Sequence, residues 1–219
     1  TSPNTYKGAG MGSKRVSQSW DIDPLKMRDD LINSCYESRQ RFFNHRGLPL
    51  YSVEFYAANA VNIKGSLTTA VQDRQVCSWL MGAPTVFAGD LASLTEENIL
   101  HYRKRFDLLK RLQEQYNIYK YFQYSGVPAP IDTDWHWWGK LNAEGEGVVV
   151  VIRGNGGSDS RKINIPWVNA KTKYRLRSLF SEKELGKFTG AQLKEGALTL
   201  SLPLYGQEII ELINTKAKH

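Results

Sequence analysis

The stretch PTVFAGDLASLTEENILHYRKRFDLLKRLQEQY, residues 84–116, reads as one strand followed by one long helix. Pro84 to Ala88 is an apolar run of strand length. Gly89-Asp90-Leu91 breaks it. Ser93-Leu94-Thr95-Glu96 then has capping-box spacing, in which hydroxyl and carboxylate each take a backbone N–H at the helix start. From there Ile99, Tyr102, Phe106, Leu109, Leu112 and Tyr116 recur at helical spacing and predict one apolar stripe.

Towards the amino terminus the same order recurs twice. Lys14 to Ser17 is a short strand behind Gly8, Gly10 and Gly12. Asp23-Pro24 starts a helix, with Asp as N-cap and Pro at the first helical position. Leu25, Leu31, Ile32, Cys35, Arg39 and Phe42 continue it, and His45-Arg46-Gly47 ends it. Leu48 to Tyr56 is the next strand. Ser66 to Met81 is the next helix, stopped by Gly82. Strand–helix three times over implies parallel strands with right-handed crossovers.

Towards the carboxyl terminus, Gly126-Val127-Pro128-Ala129-Pro130 marks a boundary. Beyond it come strand-sized runs at Trp135 to Leu141, Val148 to Arg153, Lys162 to Pro166, Lys173 to Ser178, Ala197 to Leu202 and Glu208 to Leu212. Turn residues separate them, which predicts an antiparallel β-sandwich. The fold class is therefore α/β plus all-β, with domains at 1–128 and 129–219. Three strand–helix units cannot close a barrel and leave an open edge. Either the first domain is an open α/β layer, or it is the C-terminal part of a (β/α)8 TIM barrel whose beginning is absent or on another chain.

Composition sets outer limits. The chain has 219 residues, 41% hydrophobic and 23% charged, which is ordinary globular usage. No apolar run approaches the ~20 residues of a membrane helix, so no membrane partner is expected. The net charge of +7 divides into +4 over residues 1–128 and +3 over 129–219. That even spread argues against a nucleic-acid surface. Cys35 and Cys77 form no disulfide framework and no metal spacing. The start at Thr1-Ser2-Pro3 looks like a cut end. The open edge predicts self-association or a missing N-terminal barrel part.

Ser2-Pro3, the glycines from Gly8 to Gly12, Arg15, the strand–helix order and the closing sandwich together resemble the C-terminal portion of clan D glycoside hydrolases. These are the retaining α-galactosidases of glycoside hydrolase families 27 and 36. The resemblance implies hydrolysis of α-linked sugars through a covalent glycosyl-enzyme, with a carbohydrate substrate, no cofactor, and export from the cytoplasm. It also implies that the nucleophilic Asp, at the end of the fourth barrel strand, lies outside this chain. The family's acid/base Asp sits in an Arg-x-x-x-Asp pattern. Here that pattern is Arg15-Val16-Ser17-Gln18-Ser19, so Ser19 stands at the acid position. A serine hydroxyl is too weak an acid for that role near neutral pH.

A retaining glycosidase needs two carboxyl groups roughly 5–5.5 Å apart. Asp21 and Glu54 are the catalytic candidates. The competing reading of Asp21 is a solvated loop Asp that helps start a helix, and that of Glu54 a salt-bridge partner at a strand end. Arg15, Ser19, Trp20, Tyr51 and Asp90 are the substrate-binding candidates. Arg15 orients a carboxylate or makes a structural ion pair. Trp20 and Tyr51 stack on a sugar ring or belong to the core. Asp90, just past a barrel-like strand, supports the sugar pocket or makes an Asx turn.

The cluster Trp135-His136-Trp137-Trp138 places Trp135 and Trp137 on one strand face and His136 and Trp138 on the other. Either face reads as core, domain interface or a sugar-binding surface. Asp132, Asp134 and His136 lack the glycine and distal glutamate of a calcium loop, so no metal is expected. Gly154-Asn155-Gly156-Gly157 lacks the Lys-Ser/Thr ending of a phosphate loop and reads as a hairpin turn. The alternative to a glycosidase is a non-catalytic carbohydrate-binding or structural fragment with a degenerate site, for which Ser19 is the motive.

Overall fold

The computed structural model describes residues 55–56, 68–80, 85–86, 94–124, 135–153, 156–204 and 206–215. Strands β1 (Phe55–Tyr56) and β2 (Thr85–Val86) pair in parallel, Phe55 opposite Thr85 and Tyr56 opposite Val86. Helix α1 (Thr69–Trp79) lies between them in the chain. Parallel pairing requires such a crossover, since no tight turn can return the chain to the same end. The earlier strand at 14–17 and the helix beginning at Asp23 lie outside the described residues.

Helix α2 (Glu96–Tyr116) begins two residues later than the Ser93 capping box predicts. Thr95 is the N-cap: its hydroxyl accepts from the Asn98 N–H at 3.2 Å, and the Asn98 side chain accepts from the Thr95 N–H. Glu96 and Glu97 then fall in the first turn, where their charge suits the positive end of the helix dipole. The buried stripe is also turned from the expected one. It consists of Asn98, Tyr102, Arg105, Leu109, Leu112 and Tyr116, while Ile99 and Phe106 are 46% and 43% exposed. Asn98 and Arg105 hold core-facing positions because partners on α1 satisfy their polar atoms.

A 3-10 turn (Ile118–Lys120) leads into a six-stranded sheet in the order β3 (Gln123–Tyr124), β4 (Trp135–Leu141), β5 (Gly147–Arg153), β10 (Gln207–Asn214), β7 (Lys173–Ser178) and β8 (Glu184–Thr189). Every neighbouring pair in it is antiparallel. β6 (Ser160–Ile163) and β9 (Leu198–Ser201) form a second, two-stranded antiparallel sheet. Helix α3 (Gly190–Lys194), a single short turn absent from the sequence reading, precedes β9. Strand β8 is also unpredicted, and β3 lies ahead of the boundary expected at 128 yet pairs with β4.

The centre of the large sheet, at β4, β5 and β10, is covered on both faces. Val148, Val150, Ile152, Trp138 and Ile209 pack with Val76, Leu80, Leu109, Leu112 and Tyr116 of the two helices. On the other face Val149, Val151, Ile210 and Leu212 pack with Ile163, Ile165, Leu193 and Leu198 of the small-sheet layer. Both sides of β5 are thus buried, which is why it is a continuous valine run rather than an alternating one. Each such side chain contributes roughly 1.5–3 kcal/mol through burial. By contrast β7 alternates exposed and buried, Lys173-Tyr174-Arg175-Leu176-Arg177-Ser178. No helix among the described residues is long and apolar enough to cross a membrane.

Candidate functional site

Arg15, Ser19, Trp20, Asp21, Tyr51, Glu54 and Asp90 all lie outside the described residues. The described elements next to them in the chain are informative. Phe55 and Tyr56, which follow Glu54, are still paired as strand. Asp90 follows β2 by four residues and precedes the α2 N-cap, Thr95, by five.

The first turns of α1 and α2, which follow β1 and β2, are joined by a buried polar junction that sequence reading did not find. Gln72 Nε2 donates to the Asn98 main-chain oxygen at 2.8 Å, and Asn98 Nδ2 donates to Gln72 Oε1 at 3.2 Å. Gln72 also hydrogen-bonds the Tyr102 side chain, whose hydroxyl burial holds well above the usual tyrosine range. One step along, Arg105 Nε and Nη2 donate to the two Asp73 oxygens at 2.7 and 3.0 Å. His101 Nε2 lies 2.7 Å from Asp73 Oδ1. The guanidinium of Arg105 lies 4.2 Å from the centre of the Phe180 ring.

Phe180 is itself fixed from below. The buried Glu208 carboxylate accepts from the backbone N–H groups of Phe180, Ser181 and Ile209 at 2.8, 3.3 and 2.9 Å. A chain of contacts therefore runs from β10 through Phe180 to both helices. Its acceptors are committed to fixed donors, so it is suited to hold helices in place rather than to move protons. An open groove of about 510 Å³ lies beside it, lined by Thr69, Glu96, Glu97, Leu100, His101 and Lys104.

A second cluster ties the end of α2 to the sheet. Arg111 Nη1 and the Tyr116 hydroxyl donate to Glu211 Oε1 at 2.6 and 3.1 Å. Burial, then the Glu211 charge, raises the Tyr116 hydroxyl far above the ordinary value. Lys140 lies 2% exposed on the same sheet face, its Nζ 5.3 Å from the Phe122 ring centre. Loss of hydration lowers its pKa to about 8.

In the aromatic cluster, Trp138 packs against the helices, while Trp135 and Trp137 pack towards the small sheet. Their indole N–H groups donate to the main-chain oxygens of Ser158 and Asn164, each at 2.8 Å. Arg153 donates to the carbonyls of Gly156, Gly157 and Leu202 and to Asp159. These glycine carbonyls point at a cation, the opposite of a phosphate cradle. Asp132 and Asp134 lie outside the described residues. Among the described residues no cluster of three or more His, Cys, Asp or Glu is arranged to hold a metal.

No protein-family model matches the chain, and no curated protein matches it. Solved structures do. The galactosidase domain of an α-galactosidase–sucrose kinase superposes with a TM-score of 0.55 at 14% identity, over 81% of this chain and 25% of that one. A family 36 α-galactosidase from Geobacillus stearothermophilus gives 0.55 at 14%, over 81% and 24%. A family 27 β-L-arabinopyranosidase from the same organism gives 0.52 at 14%, over 89% and 43%. The chain thus spans about a quarter to two-fifths of the length of these enzymes. Its fold is similar to part of the fold of these family 27 and 36 glycoside hydrolase structures, as the sequence resemblance implies.

Proposed function

We propose that this chain is the C-terminal portion of a retaining α-glycosidase of the α-galactosidase type. Residues 1–128 supply the last strand–helix units of a (β/α)8 barrel, and 129–219 the closing sandwich. The observation that carries this reading is the parallel β1–α1–β2 unit followed by α2 packed on an antiparallel sheet, in a fold shared with two glycoside hydrolase families.

In such an enzyme one carboxylate attacks the anomeric carbon and displaces the leaving group, which the second carboxyl group protonates. The second then activates the water that frees the sugar. The attacking carboxylate is supplied from outside this chain. Asp21 is the proposed proton donor and Glu54 the alternative. Arg15, Ser19, Trp20, Tyr51 and Asp90 are the proposed sugar contacts, the aromatic rings covering the C–H face of a pyranose and the polar groups its hydroxyls. None of this chemistry calls for a cofactor.

Hydrolysis of aryl α-galactosides by the natural full-length protein tests the reading. Asp21→Asn is expected to lower kcat by about 10²–10⁴-fold, the usual range for a general acid. Undiminished turnover removes Asp21 from the role. A second reading follows from Ser19 at the acid position: a sugar-binding protein without turnover. Saturable galactoside binding with no product release, and no loss on Asp21→Asn, is its signature.

A further inference from the structure

Positive charge that is spread evenly along the sequence is gathered by the fold onto one face of β7 and β8. Tyr174 and Leu176 of β7 pack towards the small sheet, so Lys173, Arg175 and Arg177 point to the helix side. There α1 and α2 cover β4, β5 and β10 but not β7, and all three cations are exposed. Lys187 of β8 stands directly opposite Arg175 and is exposed too. Like charges directly opposite on neighbouring strands destabilise a sheet. Other cations around this face are answered: Arg111 by Glu211 and Lys104 by Glu182, while Arg177 lies opposite Glu184. Among the described residues no carboxylate stands within ion-pair distance of Lys173, Arg175 or Lys187.

Alternate residues of a strand repeat every ~6.6–6.8 Å, and directly opposed residues on neighbouring strands stand roughly 4.5–5.5 Å apart. Lys173, Arg175 and Arg177 thus form a row about 13 Å long, with Lys187 beside its middle. Such a row suits a polymer that carries negative charge on successive units and lies along β7. We propose that this face binds an acidic polysaccharide, a sugar chain bearing carboxylates or sulfate esters. An anion seated between Arg175 and Lys187 relieves their repulsion. The choice of a sugar chain among polyanions rests on the glycosidase reading above. The face itself agrees with that choice. Phe188, opposite Tyr174, lies on the other side of the sheet, so β7 and β8 offer no ring here on which a nucleic-acid base could stack. Half-buried Ile213, opposite Arg175 on β10, gives the row an apolar border.

Affinity electrophoresis of the natural full-length protein through gels holding polygalacturonate, a sulfated galactan or a neutral galactan tests this, with duplex DNA as competitor. Retardation by at least one acidic polymer and none by the neutral one is expected, weakening as salt rises. Arg175→Gln with Lys187→Gln is expected to weaken binding by about 10-fold and to flatten its salt dependence. Arg175→Glu separates binding from stability. It places a carboxylate opposite Lys187, so the variant is expected to melt no lower than wild type while retardation disappears. Lys162→Gln with Lys194→Gln removes the same charge from exposed positions on the small-sheet side and is expected to leave binding unchanged. Turnover of an aryl α-galactoside, too small to reach this face, is expected to be unaffected in every variant.

Wild-type protein that neither acidic polymer retards overturns the proposal. So does equal weakening by the Lys162 and Lys194 changes, which means that net charge alone is felt. Duplex DNA that displaces the polysaccharide at lower concentration than the polysaccharide itself also overturns it, and makes this a nucleic-acid face. Loss of polymer binding with galactoside turnover intact leaves the glycosidase reading standing. Retardation that depends on Arg175 and Lys187, in a protein that neither binds nor cleaves galactosides, sinks the glycosidase reading and keeps the polysaccharide face.

Discussion

Arg105 of α2 is bound at both ends: its guanidinium holds both carboxylate oxygens of Asp73 and stands 4.2 Å from the centre of the Phe180 ring. It is 4% exposed. A side chain so enclosed cannot be removed without leaving Asp73 buried with only His101 to answer it. Arg105→Leu is expected to destabilise by about 3–5 kcal/mol, the cost of breaking a buried pair from one side. Replacing both partners, Asp73→Leu with Arg105→Leu, is expected to cost clearly less than the single change. Urea titration with the slope compared across variants checks this. A single variant within 1 kcal/mol of wild type, on the scale of roughly 0–1 kcal/mol for an exposed pair, means the pair is solvated instead.

The boundary expected at residue 128 separates two sequence patterns, but the hydrophobic core crosses it. Trp138, Val148, Val150, Ile152 and Ile209 of the sheet pack with Val76, Leu80, Leu109, Leu112 and Tyr116 of the helices. A chain beginning at residue 129 would uncover that whole face and lose β3 as well. It is expected to associate or bind a hydrophobic dye, without a sharp thermal transition. A chain beginning at residue 68 retains the helices and is expected to melt cooperatively. Size-exclusion chromatography with near-ultraviolet circular dichroism separates the two outcomes.

How much of this was legible in the sequence depended on where each residue's partner lay. β5 and β7 could be read because burial on two faces and on one face leave different local patterns, a valine run and an alternation. β8 escaped because Gly186 and Lys187 interrupt an edge strand that is mostly exposed or half-buried. The stripe of α2 came out turned because an apolar rule ranks Ile99 and Phe106 above Asn98 and Arg105. The partners that make the polar pair buriable, Gln72 and Asp73, lie 26 and 32 residues away. For the same reason the capping box slipped from Ser93 to Thr95: Asn98 is chosen by a tertiary contact that no local spacing reports. The catalytic candidates at Asp21 and Glu54 rest on resemblance and chemistry alone.

Lys140 predicts a distinctive pH response. Its folded pKa, about 8, lies below the unfolded value of 10.5 because burial disfavours the ammonium. Between those values the unfolded chain holds a proton that the folded chain has released, so stability rises with pH across the window. The gain across the whole window is about 3 kcal/mol at most. Tyr102 and Tyr116 act in the opposite sense, since their folded pKa values are raised and stability is lost once unfolded tyrosines ionise above about pH 10. Denaturation measured from pH ~7 to ~9.5 isolates the lysine. Wild type is expected to gain stability over that range, and Lys140→Met to start higher and stay flat. A wild-type curve that falls, or a mutant with the same slope, would mean that Lys140 keeps its proton.

Glu208 provides the last test of how sheet and helices are joined. One carboxylate accepts three backbone N–H groups, two of them in the turn that carries Phe180. Glu208→Gln leaves a single acceptor oxygen and turns an NH₂ towards those donors, so it is expected to cost about 1–3 kcal/mol. The informative quantity is its coupling to Arg105. Glu208 touches the turn and Arg105 touches the ring, with only Phe180 between them. If Phe180 transmits position from β10 to α2, the double variant Glu208→Gln with Arg105→Leu should fall short of the summed single effects by about 0.5–3 kcal/mol. The same cycle repeated in a Phe180→Ala background should then show no coupling. Additive effects with Phe180 present would mean that the helices and the sheet are held by the apolar core alone, and that the turn is a passive seat for the arginine.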